Sequence, residues 1–309
     1  MYSGQERKPW NKNTKRLIFY CAICAIPLTQ VFLFYFVVNA NSFLLAVQKY
    51  VISDDGTGRY IWAGFENFKS IFFDMRVEPY FKIMFKNSLI GYIIPFAVTF
   101  IPGLCTSYYV YKKMALSKTF KVILFLPSIL SGLAIVIIQK YILENVIPEF
   151  ALKITGSRPQ GLLTNEDTLL PALVGLRIWM GFVGSILLYP SAMSAVPQSV
   201  VESAKIDGCG TWREFWHIIL PLIYPTLTTI FIVGLAGIFV ADLSVFNLRG
   251  GNAEYSVYTV GYFSYMKLLQ SSLSGLPYLS AFGLLLTIIL VPIVFSVRWA
   301  LNRFGPSVE

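Results

Sequence analysis

The chain has 309 residues, of which 56% are hydrophobic and only 13% charged, with a formal net charge of +9. A soluble domain carries about a quarter charged residues, so this composition excludes a water-soluble globule; several apolar runs reach the roughly 20 residues that a helix needs to cross a hydrocarbon core. One histidine leaves no partner for a histidine-rich metal site, and no Gly-Lys dipeptide occurs, which removes a phosphate-cradling nucleotide loop.

In chain order, the first apolar run covers 17–38 and follows Arg7, Lys8, Lys12, Lys15 and Arg16. A basic stretch before an apolar one also fits a signal peptide, with Val38-Asn-Ala40 as the cleavage site, but the apolar core is too long for one. Pro27 predicts a kink, because it removes an internal hydrogen bond. Cys21 and Cys24 have redox-motif spacing without the surrounding βαβ pattern, and read as small apolar side chains of a spanning helix. Further runs cover 88–111, ending at Lys112-Lys113, then 122–142 with Pro127 near its start, 172–193, 226–246 and 279–297, the last closed by Arg298 and Arg303. Backbone groups in lipid must be satisfied within their own segment. The expectation is therefore an all-α polytopic membrane protein with six transmembrane helices at 17–297, a tail at 1–16 and a tail at 298–309.

Lys and Arg mark the cytoplasmic side. With the N-terminus inside, the inner segments 1–16, 112–121, 194–225 and 298–309 hold thirteen basic residues against five acidic ones. The longer outer segments hold twelve against ten. Both termini are thus expected in the cytoplasm. This distribution also assigns the positive charge to the membrane's inner face and not to nucleic acid. The outer loops, 39–87, 143–171 and 247–278, are rich in Gly, Pro, Asn and aromatic residues and predict short surface helices and turns, not separate domains.

Between the fourth and fifth runs lies a polar, helix-prone island. Pro197 suits the first turn of a helix, Gln198 to Ile206 predict a short one, and Gly208 suits the left-handed conformation that ends it. Trp212, Phe215 and Trp216 then recur at helical spacing, and Pro221 starts the return to the membrane. Such a segment is a helix–turn–helix on the inner surface, and Trp212 and Trp216 also suit headgroup anchors.

The island carries Glu202, Ser203, Ala204, Asp207, Gly208, Leu220 and Pro221 in the pattern E-x-A-x3-G-x9-I-x-L-P. This closely resembles the signature loop, here 197–221, of permease subunits of binding-protein-dependent ABC importers. The family usually has Ala where this chain has Ser203, and often Ala at Cys209. Gly64-Phe-Glu-Asn-Phe68 is similar to a pattern of the carbohydrate (maltose and glycerol-phosphate) permease group. The resemblance implies that the short helix docks in a groove of an ATPase subunit. Glu202 would make a polar contact there, Ala204 would permit close approach, Gly208 would make the turn, and Asp207 would be a further contact. It also implies a second permease subunit (a heterodimer), two ATPase subunits that bind ATP and Mg, an extracellular solute-binding lipoprotein, and location in a bacterial plasma membrane. This chain would bind no cofactor and would not be an enzyme.

An ionisable residue within a spanning helix is a functional candidate, and Asp242 is the clearest, near the outer end of the fifth run with Gly234, Gly237, Ser244 and Asn247. Two readings stay open: a polar group of the substrate path, or an ion pair with Arg177 at similar depth on the fourth run. Trp179, Gly181 and Phe182, which open the fourth run, resemble a sugar-cavity wall, since a sugar site needs an aromatic plate beside fixed polar groups. Gly181 and Gly184 equally suit close helix packing. The resemblance favours import of a carbohydrate, an oligosaccharide in particular. The rivals are a permease for glycerol phosphate or an amino acid, and a secondary transporter or channel, which has no reason to carry the signature loop.

Overall fold

The computed structural model describes residues 12–54, 56–241 and 243–306. The chain forms two compact units, one running through Ile71 and including Ser271–Leu285, the other comprising Phe72–Gln270 and the residues from Leu286 onward. Among the described residues five helical stretches are long and apolar enough to cross a membrane: Arg16–Ala46, Tyr80–Tyr111, Glu166–Ser194, Thr211–Ala236 and Val260–Phe304. A bent pair, Ser117–Ile129 with Gly132–Thr155, makes a sixth if it counts as one span. The protein is an all-α polytopic membrane protein.

In the first unit, α1 (Lys12–Val31) runs through a π-helical stretch, Phe32–Val37, into α2 (Val38–Ala46). The helix therefore continues past the expected boundary at 38. A feature absent from the sequence reading follows: a β-hairpin of β1 (Gln48–Ile52) and β2 (Gly58–Trp62), antiparallel, with Tyr50 opposite Tyr60. The Gly64–Phe68 pattern secures its base. Gly64 takes a positive φ of 58°, α3 (Glu66–Val77) begins two residues later, and the Asn67 amide donates to the carbonyls of Ala46 and Gln48 at 2.8 and 2.7 Å.

The second unit is built on α4 (Tyr80–Tyr111) and α8 (Glu166–Ser194). Small residues let the two approach: a Cβ on Gly103 would stand 2.9 Å from Ser185 Oγ, and the Ser107 hydroxyl donates to the Ser185 carbonyl at 3.1 Å. The expected third span is broken. α5 (Ser117–Ile129) and α6 (Gly132–Tyr141) are bent by 104° at the junction. Leu130 and Ser131 there are extended, and the Ser131 hydroxyl caps the new helix by accepting from Ala134 N at 3.3 Å. A second π-helical stretch, Ile142–Val146, leads into α7 (Ile147–Thr155).

The polar island forms α9 (Gln198–Ile206) and α10 (Thr211–Glu214), from which a π-helical turn, Phe215–Ile219, enters α11 (Leu220–Ala236). α11 stops ten residues short of the expected end at 246. Gly234 and Gly237, poor helix formers, tighten its last turn through a 3.0 Å bond from Gly237 N to Gly234 O. The chain then meets α13 (Val260–Ser271) at backbone distance, since a Cβ on Gly261 would lie 2.3 Å from the Val240 carbonyl oxygen. Leu243 and Ser244 take positive φ values of 54° and 59° before the short α12 (Val245–Arg249). The last helix, α14 (Leu276–Phe304), extends beyond the expected 279–297 into the predicted tail.

Two apolar clusters hold this unit together. One joins α6, α8, α12 and α13 through residues such as Val136, Leu173, Val245 and Tyr262. The other joins α4 and α8 to the polar island and α11 through Leu104, Met193, Val201, Phe215 and Ile223.

Candidate functional site

The signature loop is a helix–turn–helix whose turn follows from its residues. Asp207 is the C-cap of α9, Gly208 has φ +75°, Cys209 N donates to Ala204 O at 2.9 Å, and Gly208 N donates to Lys205 O at 3.1 Å. These are the two bonds of a Schellman motif, which satisfies the orphan carbonyls at a helix end. No atom lies within 4 Å of where a Gly208 Cβ would be, so the glycine serves backbone conformation and not space.

The faces of α9 divide cleanly. Val201 and Ala204 are buried, and Val201 sits in the second apolar cluster. Ala204, expected to permit close approach, packs here on the inward face of α9. Glu202, Ser203 and Asp207 are exposed. Gln198 Nε2 donates to Glu202 Oε1 at 3.2 Å, and the Ser203 hydroxyl donates back to Ser199 O at 2.9 Å. Beside them Ile206 is 86% exposed, a large apolar side chain that sequence spacing did not single out. Leu220 opens α11 against the second cluster, and Pro221 follows directly on the π-helical turn Phe215–Ile219. Trp212 and Trp216 are exposed while Phe215 is buried.

The second arm of the loop makes a polar contact that no sequence pattern announced. Glu214, only 2% exposed, is the sole charged residue among the buried described residues. Lys112 Nζ donates to its two oxygens at 2.7 and 2.8 Å. The Tyr108 hydroxyl lies 3.1 Å from Glu214 Oε1 and 3.0 Å from the Thr211 carbonyl. The partners are about a hundred positions apart in sequence, so no local pattern announces them.

The transmembrane candidates fall into two groups. Arg177 and Met180 line two cavities. One, about 270 Å³, is bordered by Tyr92, Phe96 and Thr99 of α4 and by Gly181. The other, about 200 Å³, is bordered by Gln139 of α6, Ser244 and Asn247. The structure thus gathers Gly181, Asn247 and Arg177. Trp179 instead packs against the first apolar cluster and Phe182 is half-buried, and neither lines these two cavities. α8 begins at Glu166, so both lie well inside this helix and not at its opening. The aromatic wall of the first cavity comes from Tyr92 and Phe96, stacked at 6.1 Å and 10°. These two were hidden in the sequence as ordinary residues of an apolar run. Asp242 lies outside the described residues.

Residues 103–309 match the family model described as binding-protein-dependent transport system inner membrane component. The chain belongs to this family. The match covers the signature loop and every helix from the last quarter or so of α4 onward. Among curated relatives, the multiple sugar-binding transport system permease protein MsmF of Streptococcus mutans is 30% identical over 173 residues, 55% of this chain and 59% of the relative. The polygalacturonan/rhamnogalacturonan transport system permease protein YteP of Bacillus subtilis is 29% identical over 177 residues, 56% of this chain and 54% of the relative. The chain thus matches little more than half the length of each. A solved bacterial ABC transporter involved in import of the acidic polysaccharide alginate superposes with a TM-score of 0.73 at 18% identity, covering 95% of this chain and 98% of that one. Likeness at that identity establishes the fold. Family and apolar helices together make the chain a multi-pass membrane component of a transport system.

Proposed function

We propose that this chain is a permease subunit of an ABC importer that carries a carbohydrate, an oligosaccharide in particular, across a bacterial plasma membrane. The observation that carries the coupling half of this reading is the signature loop. Its family residues form a capped helix–turn–helix with Glu202, Asp207 and Ile206 presented outward. A polar rim around an exposed apolar side chain is suited to a groove on another protein. In this reading 197–221 is the coupling loop within a permease domain at 17–297. Glu202, Ser203, Asp207 and Gly208 serve the ATPase contact, with Leu220 and Pro221 fixing the return to the membrane. ATP and Mg belong to two partner ATPase subunits, and both termini lie in the cytoplasm. A second permease subunit, a different chain, completes the path, and an extracellular solute-binding lipoprotein delivers the substrate.

The carbohydrate half is supported by the relatives, which are named for sugar and polysaccharide transport, and by the cavities around Arg177. Tyr92 and Phe96 offer ring faces for sugar C–H groups, while Thr99, Gln139, Asn247 and the Arg177 guanidinium offer polar partners. Movement of α9 with its ATPase would alternate access to this path.

Co-expression of the chain with the ATPase and binding-protein genes adjacent to its own tests both halves. Glu202→Lys is expected to lower ATPase co-purification while leaving membrane insertion intact. The purified binding protein is expected to bind oligosaccharides in calorimetry. Undiminished co-purification counts against the docking role, and a binding protein selective for amino acids or glycerol phosphate counts against the carbohydrate.

A further inference from the structure

The buried contact between Glu214 and Lys112 has no place in the docking surface, yet it lies between that surface and the cavities. Lys112 is the C-cap of α4, where a cation complements the helix dipole. Tyr108, one turn earlier, shares its hydroxyl between Glu214 and the Thr211 carbonyl. Its ring packs on Phe215 at 4.8 Å between centroids. The segment that follows Gly208 is thereby fastened to one end of α4 at three points: carboxylate, carbonyl and ring. Some 16 residues back along the same helix, about 24 Å at 1.5 Å per residue, Phe96 and its neighbours form the wall of the 270 Å³ cavity.

Desolvating two charges makes a buried pair no more stabilising than well-packed apolar residues. What the pair adds over packing is direction, because the ammonium must stay within hydrogen-bond distance of both carboxylate oxygens for the contact to hold. We infer that Glu214 and Lys112, with Tyr108, are positioning residues that carry displacement of the α9–α10 loop into α4, and through α4 into the cavity beside Arg177. The inference rests on the docking role proposed for α9, and it assigns the mechanical path that this role requires.

The test uses the assembled complex in nanodiscs, with Cys21, Cys24, Cys105 and Cys209 replaced by serine and Met180→Cys as a reporter in the cavity wall. The labelling rate with a water-soluble maleimide is measured without nucleotide and after trapping with ATP and vanadate. In the parent complex the two rates are expected to differ about fivefold or more, the scale of ordinary site-to-site coupling. The double variant Lys112→Met/Glu214→Met removes both charges and strands neither. It is expected to keep its ATPase subunits and its vanadate trapping while the ratio of rates collapses towards one. The exchanged pair Lys112→Glu/Glu214→Lys is expected to recover part of the ratio. A double variant with the parental ratio overturns the inference, as does a parent complex with no nucleotide-dependent ratio. Should the double variant fail to assemble, Lys112→Met/Glu214→Gln, which removes the ammonium and both charges and keeps a polar group at 214 for Tyr108, takes its place, and a full ratio there overturns the inference equally. Failure of the docking role has a separate signature: Glu202→Lys and Gly208→Val would both leave ATPase retention and the parental ratio unchanged.

Discussion

Gly208 offers the sharpest quantitative test of the loop, because its structure separates two reasons for a glycine. The residue has φ +75°, yet a Cβ placed there would meet nothing within 4 Å. Any penalty for a side chain is therefore conformational. For an L-residue the left-handed region costs roughly 1–2 kcal/mol, and Asn, whose side chain bonds locally, pays least. Valine pays most, since a branched Cβ makes positive φ a genuine outlier. A penalty of one to two kcal/mol shifts a conformational equilibrium by a factor of about 5–30. The Schellman turn between α9 and α10 would then give way to other arrangements in a corresponding share of molecules. The expected order of binding-protein-stimulated ATPase activity in the reconstituted complex is Gly, then Asn, Ala and Val. Membrane insertion and the amount of the permease chain itself should stay constant, since the turn is exposed and holds no core. ATPase co-purification should fall in the same order. A flat series, or Asn as damaging as Val, would falsify the argument that backbone conformation is what Gly208 supplies.

Other outcomes follow from different parts of the molecule. Gly261→Ala is expected to destabilise by about 1–3 kcal/mol, the range for overpacking, because its Cβ would lie 2.3 Å from the Val240 carbonyl oxygen and the obstacle is backbone; detergent melting of the purified complex reads this, and an unchanged midpoint rejects the close crossing. A cysteine at position 205 should be labelled by an impermeant maleimide only from the cytoplasm and one at 254 only from outside, and the reverse pattern would overturn the orientation drawn from Lys and Arg. Arg177 is an exposed side chain bordering both cavities, so Arg177→Ala is expected to reduce uptake with an unchanged melting midpoint. A lower midpoint that Asp242→Ala reverses would instead identify a structural pair.

Much of this protein was legible in its sequence, for a definable reason. Spanning helices are announced by run length, because lipid demands that each segment satisfy its own backbone and cover itself with apolar side chains. The loop was legible because caps and turns are local chemistry: Pro197 and Gly208 state where helices start and stop whatever surrounds them. Local reading failed where two distant segments decide the outcome. Apolar runs at 122–142 and 226–246 look continuous, but the structure breaks the first at Leu130–Ser131 and ends the second at Ala236. Run composition registers apolarity and not where a helix bends, and α11 ends where the following chain meets Gly261 of α13. Ala204 could not reveal from spacing which face of α9 it occupies, and the structure turns it inward. Glu214 reads in sequence as one more solvated carboxylate, and only the meeting of α10 with the end of α4 buries it against Lys112. The cavities beside Arg177 likewise exist only because α4, α6, α8 and the segment around α12 converge there. Hydropathy and turn chemistry determined which segments enter the membrane and where the loop folds, whereas contacts between helices far apart in sequence decided which polar side chains face one another.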